Sequence, residues 1–217
     1  MSTRILLADD HAILREGLRS LLEGEEDMEV IAEAADGRTA VRLARKLSPD
    51  VVLMDVSMPD LNGIDATRQI VTDAPNVKVI ALSMHADWSF ASDILRAGAL
   101  GYVVKSNAFA ELAMAVRAVV EGKAHLSPGI ARLAIERFVR NESGASASAI
   151  SALSGREREV LQLLAEGRTG KGIAERLHIS ESTAASHRRS IMEKLGTRNI
   201  PELVKLAIRE GLTPLES

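Results

Sequence analysis

The 217-residue chain has no cysteine. That rules out disulfides, thiol catalysis and cysteine-ligated zinc, and it fits a cytosolic protein. There is also no unbroken run of about eighteen apolar residues, the least a membrane-spanning helix requires. Met1 leads straight into a charged, strand-like segment, so neither a membrane span nor a signal peptide is expected. No internal repeat and no glycine-rich phosphate loop is present. The formal net charge of -3 conceals an asymmetry: residues 1 to 150 carry 16 Lys+Arg against 21 Asp+Glu, and residues 151 to 217 carry 11 against 9. An acidic front (-5) and a slightly basic back (+2) point to different partners. The basic excess is small, so any nucleic-acid function has to rest on where the charges sit.

What is present is an alternation. Short apolar runs, "RILLA" (4 to 8), "EVIAEA" (29 to 34), "DVVLMD" (50 to 55), "VKVIALS" (77 to 83) and "GYVVK" (101 to 105), are separated by segments with helical spacing. Ile13, Leu14, Gly17, Leu18, Leu21 and Leu22 show that spacing, as do the segment through Val41 and Leu43 and the stretches 64–72, 89–97 and 108–121. Five strand-helix units of this kind predict an α/β, doubly wound, five-stranded parallel sheet over residues 1–122, with ligands bound at the carboxyl ends of the strands. Residues 123–150 read as a linker carrying one helix over 128–140 and a small, polar stretch, "NESGASASAI". From 151 to 217 four helical patches follow without a strand, predicting a small all-α domain.

Three acids fall at strand ends: Asp9 and Asp10 after the first and Asp55 at the third. Each is open to a plain reading as a helix cap. Taken together, three carboxylates brought side by side repel one another, and an oxygen-seeking divalent ion such as Mg²⁺ is their natural occupant. Ser83 and Lys105 end the last two strands and add a hydroxyl and an ammonium. Carboxylates, metal, hydroxyl and lysine make a phosphoryl-transfer site with Asp55 as nucleophile. His85, two residues past Ser83, is open to an acid/base role or to that of a solvated loop residue. Met54 and Met58, close on either side of Asp55, read as packing.

The motifs "LLADDH", "VVLMDVSMPDLNGID", "ALSMH" and "GYVVKS", in this order over residues 4 to about 121, resemble the receiver domain of two-component response regulators. The resemblance implies phosphorylation of Asp55 by a histidine kinase. It implies Mg²⁺ held by Asp10, Asp55 and the backbone carbonyl of Ser57, with Asp9 helping through water. It further implies that Ser83 and Lys105 contact the aspartyl phosphate and that Tyr102 changes rotamer with Ser83. Ser106 stands where receivers commonly have proline, which leaves open whether the bond before it is cis.

In the back domain "LSGREREVLQLLAEG" (153 to 167) predicts a helix capped by Ser154, with Glu157 completing a capping box and Gly167 past its end. Thr169 and Ser180 would cap two further helices, the second carrying exposed basic residues: a helix-turn-helix pattern. By composition alone an all-helical protein-docking module fits as well. The longer pattern through "HISESTAASHRRSIMEKLG" and "ELVKLAIREGL" resembles the LuxR-type DNA-binding domain. With the receiver, it places the chain by resemblance in the NarL/FixJ family. Gly170 and Gly172 replace the Asn and Glu usual there, and each glycine costs a helix about 0.5 to 1 kcal/mol relative to alanine. Ala184 replaces a core valine, worth about 1 to 2 kcal/mol at roughly 0.8 per buried carbon.

The expectation is therefore a cytoplasmic transcription factor, phosphorylated on Asp55, that binds double-stranded promoter DNA as a homodimer formed on phosphorylation and has no membrane partner. The DNA-facing set is Lys171, Thr183, Ala185, Ser186, Arg188 and Arg189. At 100° per residue Ala184, Ile191 and Leu195 share the core side of their helix. Of the outward residues only Arg189 can read guanine with two bonds, while Ala185 offers at most a methyl contact. The family places a DNA-bound dimer contact on the last helix, whose Leu203, Val204 and Ala207 make one face that serves equally as core. The rival readings are a phospho-regulated protein-interaction module without useful DNA affinity and a stand-alone Mg²⁺-dependent aspartyl phosphatase.

Overall fold

The computed structural model describes residues 2–140 and 149–213, which divide into two compact units. In the first, β1 (Thr3–Ala8), β2 (Met28–Ala34), β3 (Val51–Asp55), β4 (Lys78–Ser83) and β5 (Gly101–Val104) alternate with α1 (Ala12–Glu23), α2 (Gly37–Leu47), α3 (Gly63–Asp73), α4 (Trp88–Arg96) and α5 (Ala108–Val120). The strands are apolar nearly throughout because both faces of the sheet are covered. Ile5, Leu7, Leu53, Ile80, Leu82 and Val103 pack against Leu18 and Leu22 of α1 and Leu112 and Val116 of α5. The alternate residues Leu6, Val52, Met54, Val79 and Ala81 are just as buried and face the opposite layer. Side chains start the helices: Asp36 accepts from the Thr39 N–H at 2.7 Å, Asn62 from Asp65 at 2.9 Å and Asp87 from Ser89 at 2.9 Å.

All strand pairs are parallel, in the order β2-β1-β3-β4-β5-β6. The sequence reading of five strands is corrected to six: His125–Leu126 forms β6 along the outer edge of β5. Two residues are too few to show an alternation, and what makes them a strand is the row of open backbone groups that β5 offers. The following α6 (Pro128–Val139) starts from this strand, so the part of the linker from 125 to 139 is folded onto the first unit. Residues 141–148 of the stretch read as a flexible linker lie outside the described residues. Ile150, read as its end, is buried in the core of the second unit.

That second unit is α7 (Gly155–Ala165), α8 (Gly170–Leu177), α9 (Glu181–Leu195) and α10 (Ile200–Arg209). Ser154 and Glu157 form the expected capping box. Glu157 does more than cap. Its buried carboxylate accepts bonds from the Ser154 N–H at 2.7 Å, the Ser190 hydroxyl at 2.6 Å and the Lys194 ammonium at 2.7 Å, tying α7 to the C-terminal half of α9. Burial alone would push this carboxyl up, but the bonds from Lys194, Ser190 and Ser154 outweigh it and hold it down at about 2. A depressed folded-state value means stability that is present above the unfolded value of 4.5 and lost as pH falls toward 2. Glu157→Ala, which strands three donors, is expected to lower the stability of this unit by about 1 to 3 kcal/mol at pH 7. The difference from wild type should shrink between pH 4.5 and 2 in urea titrations that resolve the two units; a difference independent of pH would refute the assignment.

Candidate functional site

The sheet order steps from β1 outward to β2 and then back across to β3, so a crevice opens between the carboxyl ends of β1 and β3. Asp9 follows the first of these strands and Asp55 ends the second; both are buried. They do not cap helices. The N-cap of α1 is His11, without a side-chain bond, and the two carboxylates instead accept from the backbone N–H groups of His11 (2.9 Å) and Ser57 (3.2 Å). The Lys105 ammonium sits between them, 2.8 Å from Asp9 Oδ2 and 2.9 Å from Asp55 Oδ2. Asp10 stands at the rim, and His11 Nδ1 lies 2.8 Å from its Oδ1. One ligand atom from each of Asp9, Asp10, His11 and Asp55 falls within 4.8 Å of the others.

Burial pushes the Asp55 carboxyl up to about 7, with Lys105 and the Ser57 N–H pulling it back and Asp9 pushing it further. Burial opposes the charge on Lys105, yet Asp55 and Asp9 together raise its pKa. One ammonium faces three carboxyl groups, so this edge of the sheet carries negative charge in excess. The approach of α3 is as tight as the electrostatics: a Cβ on Gly63 would lie 2.0 Å from the Asp55 carbonyl oxygen, so only glycine lets the Gly63 N–H reach Val56 at 2.9 Å.

Ser83 and Tyr102 line up beside this cluster on β4 and β5. The Ser83 hydroxyl accepts from the His85 N–H at 3.1 Å, and the fully buried Tyr102 donates its hydroxyl to the His85 carbonyl at 2.8 Å. Burial pushes the Tyr102 hydroxyl up to about 12, so it remains a donor. The His85 ring stacks on Phe90 at 4.3 Å and is not among the clustered ligand groups. The bond between Lys105 and Ser106 is trans.

In the second unit the Thr169 hydroxyl caps α8 through the Gly172 N–H at 3.1 Å, and the Ser180 hydroxyl caps α9 through Thr183 at 3.1 Å. The turn between these helices starts at His178, in the left-handed region at φ 53°. Burial along α9 follows the expected helical wheel: Ala184 and Ile191 are inside, while Ser182, Ala185, Ser186, Arg188 and Arg189 are exposed. Neither Arg188 nor Arg189 has a carboxylate partner among the described residues. Thr183 spends its hydroxyl on Ser180 at 2.8 Å, and Lys171 is exposed, 3.9 Å from Glu175. A groove of about 210 Å³ runs where α7, α8 and α9 meet, floored by Val160, Leu164 and Ile173 and edged by Gly170, Ala184, Ala185 and Arg188. On α10, Leu203 and Ala207 are fully buried in the core of the unit. Of the two readings that the sequence leaves open for the face of Leu203, Val204 and Ala207, Leu203 and Ala207 take that of intradomain core.

Two family descriptions match the chain: "Response regulator receiver domain" over residues 5–117 and "Bacterial regulatory proteins, luxR family" over 151–207. The transcriptional regulatory protein DegU of Brevibacillus brevis is 37% identical over 221 residues, covering 96% of this chain and 94% of that one. The oxygen regulatory protein NreC of Staphylococcus aureus is 38% identical over 213 residues, 96% of this chain and 98% of that one. The chain belongs to the NarL/FixJ family of response regulators. A solved complex of the response regulator RcsB with DNA is similar as well, at 30% identity and a TM-score of 0.58, covering 95% of this chain and 98% of that one. The protein is accordingly a response-regulator transcription factor with a LuxR-type DNA-binding domain. No described helix is long and apolar enough to cross a membrane.

Within this NarL/FixJ chain, His11 and Gly63 are the site residues that sequence reasoning missed. His11 was in view within "LLADDH" and went unread because imidazole is not a usual partner of a magnesium site; Gly63 was in view within "DLNGID". The departures in the helix-turn-helix have a structural counterpart in the groove beneath α8 and α9. An added Cβ at Gly170 meets nothing within 4 Å, at Gly172 it meets only Thr169 Oγ1 at 3.4 Å, and neither residue has positive φ. Gly170→Ala and Gly172→Ala are each expected to stabilise the second unit by about 0.5 to 1 kcal/mol, and Ala184→Val by up to about 1 to 2 kcal/mol by filling the groove. Scanning calorimetry of the full chain reads this as a rise in the melting of that unit alone. A lowered transition for Ala184→Val would mean that the groove has no room for two methyls.

Proposed function

We propose that Asp55 takes a phosphoryl group from a partner histidine kinase and that two phosphorylated copies then bind promoter DNA through α9. The observation that carries this reading is the Lys105 ammonium bridging Asp9 and Asp55 at the switch point of the sheet. The reacting carboxylate is held from both sides, by Lys105 on one oxygen and the Ser57 N–H on the other. The donor set fits a hard, oxygen-preferring ion: Mg²⁺ would be held by Asp10, Asp55 and the Ser57 carbonyl, with Asp9 assisting through water. When bound, the ion neutralises charge on the transferring group.

An Asp55 oxygen forms the new bond to phosphorus as the phosphorus-nitrogen bond of the kinase's phosphohistidine breaks, and the departing imidazole keeps the electron pair. Lys105, already 2.9 Å from Asp55, offers its ammonium to a phosphoryl oxygen, and the nearby Ser83 hydroxyl serves another. Tyr102, bonded to the His85 carbonyl, is the side chain whose rotamer answers that change at Ser83. The chemistry is confined to the protein's own Asp55, so it is a regulator rather than an enzyme, and promoter binding implies work in the cytoplasm. Acetyl phosphate with Mg²⁺ is expected to add one phosphoryl group to the wild type and none to Asp55→Asn, read by intact mass; undiminished labelling of the variant would remove Asp55 from this role.

On DNA, Arg188 and Lys171 are suited to phosphate, Arg189 to a guanine edge, and Thr183, Ala185 and Ser186 to close contact with little base readout. Affinity then rests on phosphate contacts and dimer formation, because two weak units gain by being joined. Arg189→Ala is expected to relax preference at one base pair by about 1 to 3 kcal/mol, and Ala185→Lys to tighten binding. Affinities for one selected duplex and its point variants across a salt range decide it. A preference left intact by Arg189→Ala would overturn this account of α9.

A further inference from the structure

Ser127 occupies the N-cap position of α6, where a serine hydroxyl ordinarily accepts from the first turn of its helix, yet it makes no such bond. Forgoing that cap weakens the helix start, and the hydroxyl is spent elsewhere. It accepts from the Val104 N–H at 3.0 Å and donates to Glu111 Oε2 of α5 at 2.7 Å. The Ser127 N–H donates to the Tyr102 carbonyl at 2.9 Å, and its own carbonyl accepts from Ile130 and Ala131 in the first turn of α6 at 2.9 and 3.0 Å. The residue is 1% exposed. Glu111 is nearly buried, with His125 Nε2 of β6 3.5 Å away.

Through these bonds one buried residue grips β5 at residue 102 with its backbone N–H and at residue 104 with its hydroxyl, on either side of Val103 and next to Lys105. A hydroxyl that both donates and accepts in a buried position leaves two orphans when it moves, the Val104 N–H and a carboxylate oxygen. The local geometry of β5 and the position of the first turn of α6 are therefore set by the same residue, β5 through its hydroxyl and backbone N–H and α6 through its carbonyl. We propose that Ser127 is a positioning residue that carries a change of state at Tyr102 and Lys105 into the start of α6. This rests on the reading of Tyr102 and Lys105 as phosphoryl-responsive residues. The physical warrant is a shared, fully satisfied hydrogen-bond junction rather than spatial proximity.

The test is amide hydrogen exchange, by NMR on the full chain, at Val104 and Ala131 with and without beryllofluoride and Mg²⁺. In wild type both amides should change protection on addition. In Ser127→Ala, where the Val104 N–H has lost its acceptor, the amide of residue 127, still bonded to the Tyr102 carbonyl, should keep responding while the Ala131 response falls at least about tenfold, and Ser127→Thr, which keeps the hydroxyl, should restore it. Asp55 labelling by acetyl phosphate should be the same in all three. A merely structural serine would lower protection equally in both conditions and leave the Ala131 response intact, which would overturn the proposal. A wild type whose Val104 responds while Ala131 does not would overturn it too. If Asp55 is not labelled and neither amide responds, the phosphoryl reading itself has failed, and this inference falls with it. Should Ser127→Ala not fold, Glu111→Gln decides: by weakening the acceptor of the Ser127 hydroxyl it should cut the Ala131 response, and a full response would count against the junction.

Discussion

Unbalanced negative charge at one edge of the sheet is the constraint on which the rest of the receiver depends. Asp9 and Asp55 sit on adjacent parallel strands, so the pairing that builds the sheet also forces their carboxylates together. The sheet withstands this because its strands are buried on both faces, and a short, apolar core does not yield to a local repulsion. One ammonium, Lys105, holds the pair in place without neutralising the cluster, and burial pushes the Asp55 carboxyl up to about 7 against the pull of Lys105. A site built in this way is stabilised by whatever brings positive charge, and it rewards conversion of Asp55 into a group that recruits Lys105. The tight seat of Gly63 against Asp55 has the same origin: the strand end must be fixed before its carboxylate can be aimed.

The DNA-binding unit distributes its rigidity unevenly along α9. The C-terminal half is tied to α7 by Ser190 and Lys194 through the buried Glu157, and Ile191 fills the core. The N-terminal half, which carries Ala185 and Arg188, borders the groove left by Gly170 and Ala184 and rests on a helix that begins with two glycines. The end of the helix that the proposed function turns toward the bases is thus the less constrained end. Looseness there lowers the orientational precision that base-edge contacts require and leaves phosphate contacts, which tolerate small displacements, largely unaffected.

Most of the fold was legible in the sequence, because doubly covered parallel strands show as continuous apolar runs and capped helices announce their starts. The carboxylate cluster was legible for the same reason: "LLADDH" and "VVLMD" end strands whose neighbours follow from the alternation. What was not legible has particular causes. A two-residue strand such as His125–Leu126 has no period to detect, and its existence depends on an open edge that only the folded sheet provides. Nothing in the sequence tells that the Ser127 hydroxyl turns back toward β5 instead of capping the helix that follows it. The apolar face of α10 was readable as a face, but whether it meets its own core or a second copy is a question of packing, settled for Leu203 and Ala207 by their full burial.

Charge limits how phosphorylation can act on DNA binding. The front of the chain carries a net charge of -5 and the back only +2, so the whole molecule offers DNA no long-range attraction. Converting the Asp55 carboxylate into an acyl phosphate takes its charge from -1 to roughly -1.5 to -2 at neutral pH, and a bound divalent cation at best cancels the increase. Any gain in DNA affinity must therefore come from something other than a better electrostatic match. Joining two helical units does this without altering either: each contributes a few phosphate contacts, and the second binding event becomes intramolecular. In the proposed function the acidic receiver is then a threshold as well as a trigger: its charge opposes the binding of single copies to non-specific DNA, and joining two copies doubles the contacts from Arg188, Arg189 and Lys171 that offset it.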